Sequence, residues 1–148
     1  MESTEINNEL TLSAISLKLE SRIPKDWGKY LRCDKGWYPL LAQLDEQISY
    51  LAPDYEIYQV KEKYGTLRFY IGGPVKDKIT NDIIENLISY AEHLSSIICE
   101  SCGAARYGKI RTRYDDTVKL RDNGWYKTLC DTCALALGYP IQDSNSDD

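Results

Sequence analysis

Histidine is almost missing from the chain: His93 is the only one. That shortage removes the most natural hydrolytic reading of a cysteine-rich protein. A nuclease of the ββα-metal type needs a histidine base and further metal ligands within its hairpin and helix, and His93 lies upstream of the cysteine-rich region. A zinc deaminase is disfavoured by a different gap, since it needs a glutamate beside a ligand set that leaves the ion open. Phenylalanine is scarce too, one against twelve tyrosines, so half-buried rings with wetted hydroxyls are expected in place of an all-apolar aromatic core. No apolar run is long enough to cross a bilayer, and residues 1–8 show no basic region leading into an apolar stretch, which predicts a cytoplasmic protein with reduced cysteines and no membrane partner. Internal repeats are absent.

What is present is organised around Cys99 and Cys102, in Ile98-Cys99-Glu100-Ser101-Cys102-Gly103, and Cys130 and Cys133, in Leu129-Cys130-Asp131-Thr132-Cys133-Ala134. Two CxxC pairs at this separation match tetrahedral zinc spacing, each pair wrapping half of the ion while the intervening chain returns as a hairpin. Gly103 suits the end of a first knuckle, where a positive φ is needed. Cys130 and Cys133 open a short helical run, Ala134–Leu137, stopped by Gly138 and Pro140. A knuckle, a hairpin and a ligand pair opening a helix is the order of a treble-clef zinc finger, expected over residues 97–140. Neither pair sits in the βαβ setting of a thioredoxin motif, which disfavours redox pairs or two disulfides. Four thiolates saturate zinc, so the ion is expected to hold the fold and perform no chemistry. Cys33, the odd cysteine, reads as a small buried side chain.

The remaining pattern predicts an α+β fold, helices packed on a small antiparallel hairpin, with an α+β core over residues 1–98, a zinc module over 99–140 and a disordered acidic tail over 141–148. Leu12, Ile15, Leu19 and Ile23 have helical spacing, although Leu10, Leu12 and Ala14 alternate like a strand. Trp37, Leu40, Leu41, Leu44, Ile48 and Leu51 make one helical stripe, with Pro39 in its first turn. Residues 55–62 and 66–71 read as strands joined at Lys63-Tyr64-Gly65, with Leu67, Phe69 and Ile71 on one face and Thr66, Arg68 and Tyr70 on the other. Residues 79–98 form a helix with Ile83, Ile84, Leu87, Ile88, Ala91, Leu94 and Ile98 inward and Thr80, Asn81 and Asp82 as caps. Short strands are expected over 109–114, 117–121 and 125–129, with turns at Asp115-Asp116 and Asp122-Asn123-Gly124.

Charge is unevenly placed. The chain carries a formal −5, yet residues 99–130 hold Arg106, Lys109, Arg111, Arg113, Lys119, Arg121 and Lys127 against Glu100, Asp115, Asp116 and Asp122. Arg106, Lys109, Arg111 and Arg113, near Tyr107, Tyr114 and Trp125, form a candidate nucleic-acid footprint on the zinc hairpin. The competing reading is a solvated hairpin. Arg68 and Tyr70 form a candidate protein-partner surface, because Arg and Tyr supply most binding energy at interfaces.

The stretch Gln59-Val60-Lys61-Glu62-Lys63-Tyr64-Gly65-Thr66-Leu67-Arg68-Phe69-Tyr70, with Gly36-Trp37, the Cys99–Gly103 knuckle and Gly124-Trp125-Tyr126-Lys127-Thr128-Leu129-Cys130, resembles small uncharacterised proteins encoded in bacterial, prophage and phage genomes. The likeness spans residues 33–137. It implies an accessory product of a phage or mobile element, acting in the host cytoplasm, and supplies no catalytic residues. The expectation is a zinc-stabilised, non-catalytic protein that binds and modulates, or inhibits, a host protein or host defence complex. The alternatives are a nucleic-acid-binding protein and, less favoured, a treble-clef nuclease.

Overall fold

In a computed structural model of the protein, residues 2–28, 31–72, 77–113 and 126–141 are described, with side chains from residue 11 onward. The expected strand at 117–121, the turns at 115–116 and 122–124 and the acidic tail at 142–148 lie outside these residues.

The N-terminal ambiguity resolves as helix: α1 runs Glu2–Ser21. Leu19 and Ile23 are buried and Ile15 packs beside them, so the helical spacing is the one that meets the core. α1 ends short of Pro24, in line with the extended preference of a residue preceding proline. A 3₁₀ turn, Lys35–Trp37, leads into α2, Tyr38–Leu51, with Pro39 in its first turn. Trp37, Leu41, Leu44 and Ile48 are fully buried. Asp45 is buried among them, which its charge alone would not predict; it is paired with Arg22 and, at 3.7 Å, with Lys18, and accepts from the Tyr55 hydroxyl.

β1, Ile57–Lys63, pairs antiparallel with β2, Thr66–Ile71, in the register Val60 to Phe69 and Glu62 to Leu67. Tyr64 and Gly65, with φ of 54° and 85°, form a two-residue turn in which both residues are left-handed, the geometry whose twist matches that of the flanking strands. The sequence reading assigned that conformation to glycine alone. Register slips between Ile57 and Gln59, leaving Tyr58 as a bulge. The inner face carries Ile57, Val60, Leu67 and Phe69 onto α1, α2 and α3.

Neither edge of this ribbon is bare. Arg32 bridges β1, its N–H donating to the Val60 carbonyl and its carbonyl accepting from Glu62. Along β2, the Leu67 N–H donates to Ser95 Oγ and the Phe69 N–H to Glu92 Oε2, at the C-terminal end of α3 and just beyond it.

α3 spans Lys78–Leu94 and is capped by Asp77, whose carboxylate accepts from the Thr80 N–H. The cap thus lies before the expected Thr80-Asn81-Asp82 group. Ile84 and Ala91 are buried, whereas Ile83, expected to point inward, is partly exposed. A 3₁₀ turn at Ser95–Ile97 delivers the chain into the cysteines. β3, Lys109–Thr112, then pairs antiparallel with β4, Tyr126–Leu129, and α4, Asp131–Leu137, follows.

The apolar interior falls into two clusters, one holding residues from Leu19 to Ala91 and the other Cys99, Leu129, Ala134 and Tyr139. Backbone contacts bind the two together. The Gly36 N–H donates to the Glu100 carbonyl at 2.7 Å, Trp37 Nε1–H donates to the Ile98 carbonyl at 2.9 Å, and the Asp34 N–H donates to Glu100 Oε2 at 3.0 Å. At the other side, Thr128 Oγ1–H donates to the Gly65 carbonyl at 2.6 Å. A Cβ on Gly36 would lie 2.3 Å from the Glu100 carbonyl oxygen, a backbone atom that cannot step aside. Gly36→Ala is therefore expected to lower unfolding stability by about 2–4 kcal/mol in urea titration, the range for severe overpacking, and an unchanged midpoint would show that this approach is not tight in solution.

Candidate metal centre

The ligand side chains come from two local devices. In the first, Cys99 to Gly103 turns back on itself: the Gly103 N–H donates to the Cys99 carbonyl, the Cys99 N–H donates to the Ala104 carbonyl, and Ile98 bridges Ala105. Gly103 takes φ 84°, as the spacing predicts, and a side chain there would meet the Gly36 carbonyl at 3.1 Å. In the second, β4 ends at Leu129 and Cys130 caps α4, so that Cys130 and Cys133 bracket its first turn. The helix closes on left-handed Gly138, where the Tyr139 N–H returns to the Ala134 carbonyl.

These devices bring the four sulfurs within 4.8 Å of one another, and Cys102 Sγ lies 3.8 Å from Cys130 Sγ. Four sulfurs placed tetrahedrally around an ion at ~2.3 Å are ~3.8 Å apart. The cluster therefore fits one metal ion with soft, thiophilic character. Among the described residues no other group of histidine, cysteine or carboxylate side chains has this arrangement. His93 is exposed on α3 and is not part of the cluster.

Electrostatics differ among the four thiols. Burial opposes ionisation of Cys99, but the N–H groups of Cys102, Cys130 and Ser101 point at its sulfur and draw its pKa down to about 7. Burial pushes Cys133 up to about 12, the neighbouring thiols adding to it, and raises Cys102 as well. Metal ligation takes thiolates, so taking up an ion expels the protons that these thiols carry. Cys33 packs half-buried against the larger apolar cluster, and burial first, then the Glu100 carboxylate, pushes its thiol far above the ordinary range. It lacks the electropositive surroundings of a reactive thiol.

No family model matches the chain, and comparisons with curated proteins and with solved structures find no match.

Of the basic residues singled out on the β3–β4 hairpin, Arg106 and Lys109 are exposed. Arg111 is not a surface cation, which corrects its place in the nucleic-acid footprint. It is 7% exposed, with Nε–H donating to the Leu129 carbonyl at 2.8 Å and Nη2 paired to Asp131 at 2.6 Å. It ties the end of β4 to the start of α4, and so fixes the spacing of the second ligand pair. Arg113 lies over the Tyr139 ring at 5.5 Å. Arg68 is half-buried and Tyr70 exposed, both on the outer face of the β1–β2 hairpin. The residues that sequence reasoning missed are those that clasp the first knuckle: Asp34, Gly36, Trp37 and Lys127, whose ammonium bonds Asp34 at 2.5 Å and lies 3.9 Å from Glu100. Burial raises the Glu100 carboxyl to about 7 against the opposing charge of Lys127.

Protons compete with the metal for thiolate sulfur, so occupancy falls as pH falls. Acidification from about pH 7.5 to about pH 5.5 is expected to release the ion, read by a chromogenic chelator, because several thiols must be reprotonated together. A metal affinity that does not fall at all over this range would show that the thiols are not its ligands. Cys33→Ser is expected to keep the metal, whereas Cys130→Ser loses it and with it the hydrogen-exchange protection of the Gly36 amide.

Proposed function

We propose that the chain is a non-catalytic binding protein whose C-terminal knuckle, hairpin and helix form a treble-clef-like module around structural zinc. The observation that carries this reading is the convergence of four sulfurs at tetrahedral spacing. Zinc is the ion for which an all-thiolate tetrahedron is the common structural ligand set. Cys₄ ligation leaves no position for water or substrate, and the one histidine lies elsewhere, which is why binding rather than catalysis is proposed. Phage or mobile-element origin, drawn from the sequence resemblance, places the partner in the host.

The partner surface proposed is the outer face of the β1–β2 hairpin around Arg68 and Tyr70. The inner face is spent on the core and both edges are covered, so the outer face is what the ribbon leaves open. The second reading, nucleic-acid binding by the β3–β4 hairpin, is weakened by the burial of Arg111.

Elemental analysis of protein purified without added metal is expected to return about one zinc per chain, the stoichiometry of a Cys₄ site, and less than about half of that would overturn the zinc reading. The Arg68→Ala, Tyr70→Ala double variant is expected to lose affinity capture of its host partner while metal content and thermal unfolding stay within about 2 °C of wild type, a surface-substitution effect. Capture that survives the double substitution would place the partner surface elsewhere.

A further inference from the structure

The register of the first hairpin sorts its residues by chemistry. Gln59, Lys61 and Lys63 of β1 stand opposite Tyr70, Arg68 and Thr66 of β2. These six positions make the outer face, and none is acidic, although the chain as a whole carries −5. Aromatic rings frame the cations at both ends. At one end Tyr58, set out by the bulge, stacks on Trp27 with centroids 4.6 Å apart and planes at 25°, and Tyr70 lies under the Lys61 ammonium at 5.9 Å. At the other, Tyr64 meets Tyr126 edge-on at 5.7 Å with the Lys63 ammonium 5.7 Å over its ring. All four hairpin-side rings keep accessible surface: Trp27 49%, Tyr58 37%, Tyr70 45% and Tyr64 63%. A groove of about 220 Å³, lined by Ile23, Trp27, Gly28, Arg32, Tyr58 and Gln59, opens beside the stacked pair.

We propose that this face binds single-stranded nucleic acid, with Lys61, Lys63 and Arg68 on phosphates and unpaired bases stacked on Tyr58 with Trp27, Tyr70 and Tyr64. The proposal rests on the reading of this face as the partner surface and names the class of partner, replacing the protein expected from composition alone. Two features favour it. From Gln59 to Tyr64 the strand runs about 17 Å at ~3.3 Å per residue, enough for a few nucleotides, with cations in the middle and rings at the ends. Each ring keeps accessible surface beyond its partners and so offers stacking to an unpaired base, whereas a duplex hides its base faces in its own stack. An acidic peptide would satisfy the cations but bring nothing planar to the rings. The local patch also supplies what the whole chain lacks, since a net-negative protein attracts a polyanion only where cations are concentrated.

Fluorescence anisotropy of the metal-loaded full chain with labelled twelve-nucleotide oligo-dT and oligo-U, a duplex of the same length, and a polyglutamate peptide tests the proposal. The expected result is binding of a single strand at least about tenfold tighter than the duplex, with log K falling against log salt at a slope of about −2, from ~0.7 per phosphate contact. Tyr58→Ala with Tyr70→Ala is expected to weaken binding about tenfold or more at unchanged slope, as loss of base stacking does. Lys61→Gln with Arg68→Gln, both half-buried on the outer face, is expected to flatten the slope by about 1.4. This charge variant keeps the test decisive if the tyrosine variant unfolds. No single-strand binding at low salt overturns the proposal, as does equal affinity for duplex or a slope unmoved by the charge variant. If polyglutamate binds in an Arg68-dependent way and the oligonucleotides do not, the partner-surface reading stands and the nucleic-acid proposal falls.

Discussion

The structure depends on a short stretch of backbone being pressed against a cysteine knuckle. Gly36 has no side chain, so its N–H reaches the Glu100 carbonyl between the first two ligands, and Trp37 can at once bury its ring in the larger core and donate to Ile98. Everything between the two apolar clusters is arranged around that approach. Asp34 and Lys127 close it from the solvent side, and Thr128 pins the returning strand to the tip of the first hairpin. The cysteine cluster is thus tied to the larger core through its first loop. Its first loop is one wall of the passage through which the chain enters α2.

Division of labour between the two hairpins follows from the same packing. The β3–β4 hairpin spends Arg111 internally, on Leu129 and Asp131, because the second ligand pair must start a helix where the strand stops. A guanidinium that spans the junction holds both ends in place. The β1–β2 hairpin is held instead by apolar residues on its inner face and by borrowed hydrogen bonds on its edges, so its cations and rings remain on the outside. Basic residues on a zinc hairpin suggested one surface, and burial shifts attention to the other.

Much of this was legible in the sequence where cause and effect are near neighbours. The CxxC spacing, the left-handed glycine after Cys102, the α2 stripe, the alternation of Leu67 and Phe69 with Arg68 and Tyr70, and the stop at Gly138 all depend on residues a few positions apart. The parts that could not be read join distant segments. Asp34 and Gly36 meet Glu100 across more than sixty residues, and nothing in a local pattern says that a carbonyl will come to meet them. Arg111 occupies a strand position whose exposure is decided by the distant Asp131, and Asp45 follows Leu44 on a stripe where only a cation from the end of α1 makes a carboxylate tolerable. Periodicity gives faces. Which charges are already spoken for depends on tertiary partners.

The cover on the outer edge of β1 carries a liability. Arg32 occupies that edge, and it sits just ahead of the Asp34–Trp37 segment that the knuckle holds down. If the knuckle loosens and that segment lifts, the Val60 carbonyl and the Glu62 N–H are bared in a strand rich in β-formers. An unpaired edge of this kind recruits strands from other copies. A loosened knuckle would therefore be felt as self-association at a strand that the four cysteines do not touch.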